Sequence, residues 1–115
     1  MNPLYIVPTP IGNLDDITIR ALNILKNSDL ILCEDTRRTT KLLNHFSIKK
    51  KLISFYKDNE LSMIDKIFDL LESNVISLVS DAGTPAISDP GSKLIKKLNS
   101  KGIQVIPLPG PSSIT

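Results

Sequence analysis

Apolar positions along this chain recur with two periods: short β-branched runs bounded by turn residues, and longer stretches with helical spacing. Leu4-Tyr5-Ile6-Val7 is the first short run, and Pro8-Thr9-Pro10, poor in amides, predicts its end. A polar loop follows through Ile11-Gly12-Asn13-Leu14, with Asp15 or Asp16 placed to cap a helix over 17–27 whose apolar face is Ile17, Ala21, Leu22, Ile24 and Leu25. Leu30-Ile31-Leu32-Cys33 predicts a second strand, which empties into Glu34-Asp35-Thr36-Arg37-Arg38-Thr39. Helical spacing resumes at Leu42, Leu43 and Phe46. Lys49-Lys50-Lys51 interrupts it before a weaker strand over 52–56. The clearest amphipathic pattern covers 60–73, with Leu61, Ile64, Ile67, Phe68 and Leu71 on one face and Asn74 closing the helix. Val75-Ile76-Ser77-Leu78-Val79 then reads as a central parallel strand, because it is short, β-branched and bounded by turn residues. Leu94, Ile95 and Leu98 face inward on the next helix, with Lys93, Lys96, Lys97 and Lys101 outward. Gly102 stops it before a fifth strand over 103–106.

Strand and helix alternate throughout, so the fold class is α/β: a five-stranded, mainly parallel sheet with helices on both faces. In such a sheet the loops after the strands gather on one rim, where ligands bind. Residues 80–91, directly after the central strand, form the most ligand-like of these loops: Asp81, Gly83, Thr84, Pro85, Ser88, Asp89, Pro90 and Gly91 offer acceptors and hydroxyls on rigid or permissive backbone. Capping by Ser88 or Asp89, with Pro90 in the first helical turn, accounts for the end of the loop. It leaves 80–84 without a structural reason.

Composition narrows the classes. At 115 residues, with 41% hydrophobic and 23% charged residues, the chain suits one globular domain. No apolar run approaches a membrane span and Met1-Asn2-Pro3 lacks a signal-peptide layout, so a cytoplasmic protein with no membrane partner is expected. Cys33 is the sole cysteine, which excludes an internal disulfide and suits a small buried filler. His45, the sole histidine, lies in a Leu-rich helix and reads as a partly exposed helix residue, so no metal site is expected. A net charge of +2 does not by itself demand an anionic partner. Neither G-x-G-x-x-G after the first strand nor G-x-x-x-x-G-K-[ST] occurs, which disfavours phosphate cradles of those kinds. The rim suits instead a polar ligand carrying an amine, a ribose or a positive centre.

Four stretches together carry a resemblance: residues 7–18 (Val-Pro-Thr-Pro-Ile-Gly-Asn-Leu-Asp-Asp-Ile-Thr), Glu34-Asp35-Thr36-Arg37, residues 80–91, and Pro109-Gly110-Pro111-Ser112-Ser113. In this order they resemble the tetrapyrrole methylase superfamily, and within it the branch that methylates a cytidine ribose 2′-oxygen of small-subunit ribosomal RNA with S-adenosylmethionine. The resemblance covers the whole chain. Where tetrapyrrole-methylating relatives carry a Gly-rich loop after strand one, this chain has Pro8-Thr9-Pro10-Ile11-Gly12, and where they carry Gly-Asp-Pro after strand four it has residues 80–85. Both departures favour the RNA branch over the alternative, methylation of a tetrapyrrole carbon. A noncatalytic ligand- or RNA-binding module is a third reading.

The resemblance implies a two-domain enzyme in which residues 1–115 are the N-terminal cofactor-binding domain, with a C-terminal domain beyond and the cofactor in the cleft between them. A homodimer is left open as the state of the full-length protein. Ile11, Asp81, Gly83, Thr84, Ser113 and Ile114 are expected to line the cofactor, with Asp81 accepting from its amino group or offsetting the sulfonium charge; the structural alternative for Asp81 is an Asx turn. Arg37 and Arg38 beside Lys41 are expected to grip RNA phosphates, against a solvated helix start capped by Asp35 or Thr36. With only 4% aromatic residues, electrostatic grip rather than base stacking is the available mode. Glu34 or Asp35 is the candidate base for drawing the proton from a ribose hydroxyl. Lys49 to Lys51 and the lysines of the last helix read as solvated charge.

Overall fold

The computed structural model describes residues 1–10, 12–81 and 91–110. Five strands, β1 (Leu4–Thr9), β2 (Leu30–Cys33), β3 (Lys51–Ser54), β4 (Ile76–Asp81) and β5 (Val105–Pro107), form one sheet in the order β3-β2-β4-β1-β5, and every pairing is parallel. Four helices connect them: α1 (Ile19–Asn27), α2 (Thr36–His45), α3 (Glu60–Leu70) and α4 (Ser92–Ser100). The α/β class, the parallel sheet and the central place of β4 are as the apolar pattern predicts.

Two apolar layers sandwich the sheet. Leu4, Leu30, Leu32, Ile76 and Leu78 pack under α3 and α4 through Ile64, Ile67, Leu94 and Leu98. Val7 and Ile31 face the other way, against Ala21 and Leu25 of α1 and Leu42 and Leu43 of α2. Successive strand residues thus serve opposite layers, so both faces of β2 and β4 are covered, as parallel sheets require.

Several boundaries move from their expected places for local reasons. β1 runs through Pro8 to Thr9 instead of stopping at Val7. Leu4 donates its amide to Gln104 and the Ile6 carbonyl accepts from Leu108, so alternate residues of β1 face β5. Pro8 falls in that set, and β5 pairs only with Leu4 to Ile6, so the missing amide costs no ladder bond. Thr18, not Asp15 or Asp16, caps α1 by accepting from the Ala21 amide at 3.0 Å; the two aspartates sit in a 3-10 turn, Leu14–Asp16, and Ile17 is buried ahead of the helix. β3 occupies Lys51–Ser54, because Phe55 turns its fully buried ring into the core while its amide still bonds Cys33. Leu61, expected on the inner face of α3, is 69% exposed; Glu60 takes the inward position at that end of the helix. Gly102, at φ +75°, ends α4 in the left-handed conformation expected of it.

Candidate functional site

Adjacent strands β1 and β4 send their chains to opposite faces of the sheet, β1 to α1 and β4 to α4. That divergence opens a crevice at the carboxyl ends of the two strands, the switch point at which open α/β sheets bind ligands. The floor is dry and tied together. Pro8, Thr9 and Pro10 are buried, and the Thr9 hydroxyl donates to the Ser80 carbonyl oxygen at 3.1 Å. Asp81 closes β4 opposite Thr9. The Ser80 Oγ, one position earlier, is buried without a hydrogen-bond partner, an open valence at the lip of the crevice that a polar ligand atom can fill.

Beside β4 on the rim, β2 runs into the corner that begins α2. Asp35 caps this helix, its Oδ1 accepting from the Arg38 amide at 3.1 Å, so the local capping role is filled by the residue also considered as a base. Glu34, Asp35, Arg37, Arg38 and Lys41 are all exposed, which leaves their charges at the surface of the rim. Just behind them Cys33 is buried. Burial first, and the nearby Asp35 charge to a smaller degree, push its thiol up, against a hydrogen bond to Thr39 that pulls it down. The thiol therefore stays protonated and inert at neutral pH, as a filler does. His45, at the other end of α2, bonds Asp15 through Nε2 at 2.9 Å and so ties the helix to the turn after β1.

The third wall was not legible as a site. Glu60, the first residue of α3, is wholly buried, and its Oε2 accepts from the amides of Gly91, Lys93 and Leu94 at 3.0, 3.0 and 3.1 Å. These are the orphan donors at the start of α4, so the positive end of that helix is filled from within the chain. An α/β loop that leads into a helix commonly presents those amides to a phosphate. Here they are occupied, in keeping with the missing phosphate motifs. Gly91 holds φ +129°, which a side chain would oppose.

Of the expected cofactor-lining residues, Asp81 is placed at the end of β4, whereas Ile11, Gly83, Thr84, Ser113 and Ile114 lie outside the described residues. So do Ser88 and Asp89, the expected caps of α4, and Pro90, expected in its first turn; the helix begins at Ser92 with Gly91 in the N-cap position. Thr9, Ser80 and Glu60 were missed. A usable signal existed for Glu60: it precedes Ile64 by four and Ile67 by seven residues, which puts a carboxylate on the buried stripe of α3. Among the described residues, no group of three or more His, Cys, Asp or Glu is placed to hold a metal, and no helix is long and apolar enough to cross a membrane.

Comparison with known proteins adds to this geometry. Residues 3–115 match the sequence profile of the Tetrapyrrole (Corrin/Porphyrin) Methylases. A protein of Thermotoga maritima called ribosomal RNA small subunit methyltransferase I is 54% identical over all of this chain, which covers 52% of that relative. One of the same name from Halalkalibacterium halodurans is 53% identical over 96% of the chain and 38% of its own length. The chain therefore spans about half, or less, of the relatives it matches. Among solved structures, a uroporphyrin-III-C-methyltransferase of Thermus thermophilus superposes with a TM-score of 0.71 at 17% identity, over 95% of this chain and 47% of that one. A cobalt precorrin-4 methyltransferase gives 0.76 at 23%, over 94% and 45%. These two share the fold.

Proposed function

Because the chain belongs to the family of tetrapyrrole (corrin/porphyrin) methylases, we propose that it forms the N-terminal, cofactor-binding domain of an S-adenosylmethionine-dependent enzyme that methylates a cytidine ribose 2′-oxygen in small-subunit ribosomal RNA. The observation that carries this reading is the gap in identity. Relatives called ribosomal RNA small subunit methyltransferase I stand at 53–54%, and tetrapyrrole-methylating proteins with the same fold stand at 17–23%. A domain that follows this one in the relatives would supply the second wall of the cleft.

The residues present fit such a cofactor. It carries no phosphate, and the helix terminus that would hold one is closed by Glu60. Its amine, ribose and carboxylate need scattered donors and acceptors, which the open Ser80 hydroxyl and the end of β4 at Asp81 begin to supply. When bound, the sulfonium provides an electrophilic methyl group. The chain's own part is alignment and exclusion of water: the buried Pro8-Thr9-Pro10 floor keeps one side of the crevice dry, and the Thr9 bond to Ser80 fixes the spacing of the two strand ends. Ile11, Gly83, Thr84, Ser113 and Ile114 complete the lining in this reading.

Arg37, Arg38 and Lys41 meet RNA phosphates at the exposed β2–α2 corner and orient the ribose without reading sequence. Glu34 or Asp35 takes the hydroxyl proton. Of the two, Glu34 has the freer task, since Asp35 already accepts the Arg38 amide. The protein acts in the cytoplasm, where its substrate is made.

The test offers the full-length protein methyl-labelled S-adenosylmethionine together with small ribosomal subunits, free ribosomal RNA and a tetrapyrrole acceptor in parallel. Label in an alkali-resistant dinucleotide is the expected result, since a 2′-O-methyl group blocks alkaline cleavage. Label in the tetrapyrrole alone would transfer the chain to the carbon-methylating branch, and no label in any acceptor would leave a binding module.

A further inference from the structure

The charge of this chain is unevenly spread. Residues 1–89 hold ten basic and twelve acidic side chains, whereas residues 90–115 hold four lysines and no carboxylate. The net charge of +2 thus conceals a slightly acidic body and one uncompensated positive element. All four lysines, Lys93, Lys96, Lys97 and Lys101, fall on α4 or on the residue that ends it. At 3.6 residues per turn they share one arc of about 140°, beside the stripe of Leu94 and Leu98 that is buried against the sheet. Lys93, Lys96 and Lys101 are exposed and Lys97 is half-buried. We propose that this face of α4 is a track for an RNA backbone, its lysines holding phosphates of the strand whose reacting ribose lies in the crevice. The role rests on the reading of the chain as part of a ribosomal RNA methyltransferase.

Such a face works against the helix that carries it. Lys93, Lys97 and Lys101 recur every four residues, and like charges at that spacing destabilise a helix. The dipole of α4 welcomes Lys97 and Lys101 near its negative end but opposes Lys93 in its first turn. Neighbours give no relief. Helix α3 packs beside α4 and carries Asp65 and Asp69, yet among the described residues no ion pair joins a lysine of this face to a carboxylate. Solvated charge, the expectation for these lysines, leaves that arrangement without a reason. An anionic polymer supplies one, since its charges repeat as the lysines do, turn after turn. Position selects RNA. The helix starts at the carboxyl edge of the sheet, where the crevice opens, and runs about 13 Å away from it along the outside of its layer. Helix α2, with Arg37 and Arg38, belongs to the layer on the other face. A strand held at both helices crosses the carboxyl edge between them. Lysines suit the task, because each is a hydrated point charge that meets a phosphate without reading the base attached to it.

The experiment uses the full-length protein in three forms: wild type, a triple variant (Lys93→Gln, Lys96→Gln, Lys101→Gln) and a control (Lys49→Gln, Lys51→Gln). The control removes exposed lysines at the start of β3, on the opposite edge of the sheet. Binding to small-subunit ribosomal RNA is measured between about 50 and 200 mM salt, beside calorimetry with S-adenosylmethionine and methyl transfer to RNA and to a tetrapyrrole acceptor. In the triple variant the dissociation constant for RNA should rise about tenfold at the low-salt end. The slope of log affinity against log salt should fall by about 2, as expected for three lost phosphate contacts on a single strand. Cofactor affinity, and kcat at saturating RNA, should stay within about twofold of wild type, and the control should bind RNA within about threefold. RNA affinity and salt slope unchanged in the triple variant would overturn the track, as would an equal loss per charge in the control. Vesicles of phosphatidylglycerol form a further arm: a triple variant that loses vesicle binding and keeps RNA binding would move the face to a lipid surface. A lower melting temperature with RNA binding intact would assign it to an acidic surface within the protein. Wild type that binds no RNA and labels only the tetrapyrrole would overturn the RNA reading itself, whereas labelled RNA with an indifferent triple variant would overturn the track alone.

Discussion

Asp35 and Glu60 do the same chemical job in opposite settings. Each is a carboxylate that accepts amides at the start of a helix, but Asp35 is exposed and serves α2, the helix it begins, while Glu60 is wholly buried and serves α4 from the first residue of α3. The exposed cap is a local device, bound by one amide and replaceable by water. The buried one is a cross-link: withdrawing it strands three donors, and no water stands ready to satisfy them. A rim can therefore hold two kinds of capping carboxylate, one exposed and local and one committed to shape, and burial separates them better than residue type does.

That contrast is easiest to break at Glu60. Replacement by Ala should destabilise the fold by about 3–5 kcal/mol, since it orphans buried donors and leaves a void; a denaturant midpoint close to wild type would mean that α4 caps itself by another route. Asp35→Ala should cost about 1 kcal/mol, the usual worth of a helix cap. The two substitutions share no hydrogen-bond partner, so their costs should add within about 0.5 kcal/mol in a double-mutant cycle.

The buried thiol behind the exposed corner also has a pH signature. The Cys33 thiol is pushed up from its ordinary value of 9.0, chiefly by burial, so the folded state holds its proton where the unfolded chain has begun to lose it. Its contribution to stability is complete below pH 9.0 and is lost as pH rises through the folded value. Unfolding measured in steps above pH 9.0 should show that decline in wild type and a shallower one in Cys33→Ala; parallel curves would mean that the thiol titrates alike in both states. The smallest effect belongs to His45→Ala. The hydrogen bond to Asp15 is largely solvent-exposed, 44% and 69% for the two side chains, and its loss should cost about 0.5 kcal/mol or less.

Residues 4–9 and 76–81 show how far a one-dimensional pattern reaches. Their β-branched runs announce two strands, and the loops that follow announce a ligand rim; both are properties of neighbours in sequence. Pro8 was misread because its effect depends on which side of β1 still has a partner, and that is set by β5 some hundred positions on. Leu61, expected inward, faces out and Glu60 faces in because the stripe of α3 continues to a polar partner, the start of α4, that no periodicity encodes. Asp35 was legible as a cap since capping is local. The Ser80 hydroxyl and the Thr9 bond to its carbonyl were not, because they exist only once β1 lies against β4.

The pairing of β1 with β4 has a consequence for how the molecule comes into being. Leu4 lies against Ile76, so β1 must wait until some seventy further residues have been synthesised before its neighbour exists. Strands β2 and β3, joined through α2, can meet well before that. Closing the long loop costs chain entropy that only the completed sheet repays. On the ribosome, β1 is thus an apolar strand without its β4 neighbour until that stretch has been made, and the crevice between β1 and β4 can form only afterwards.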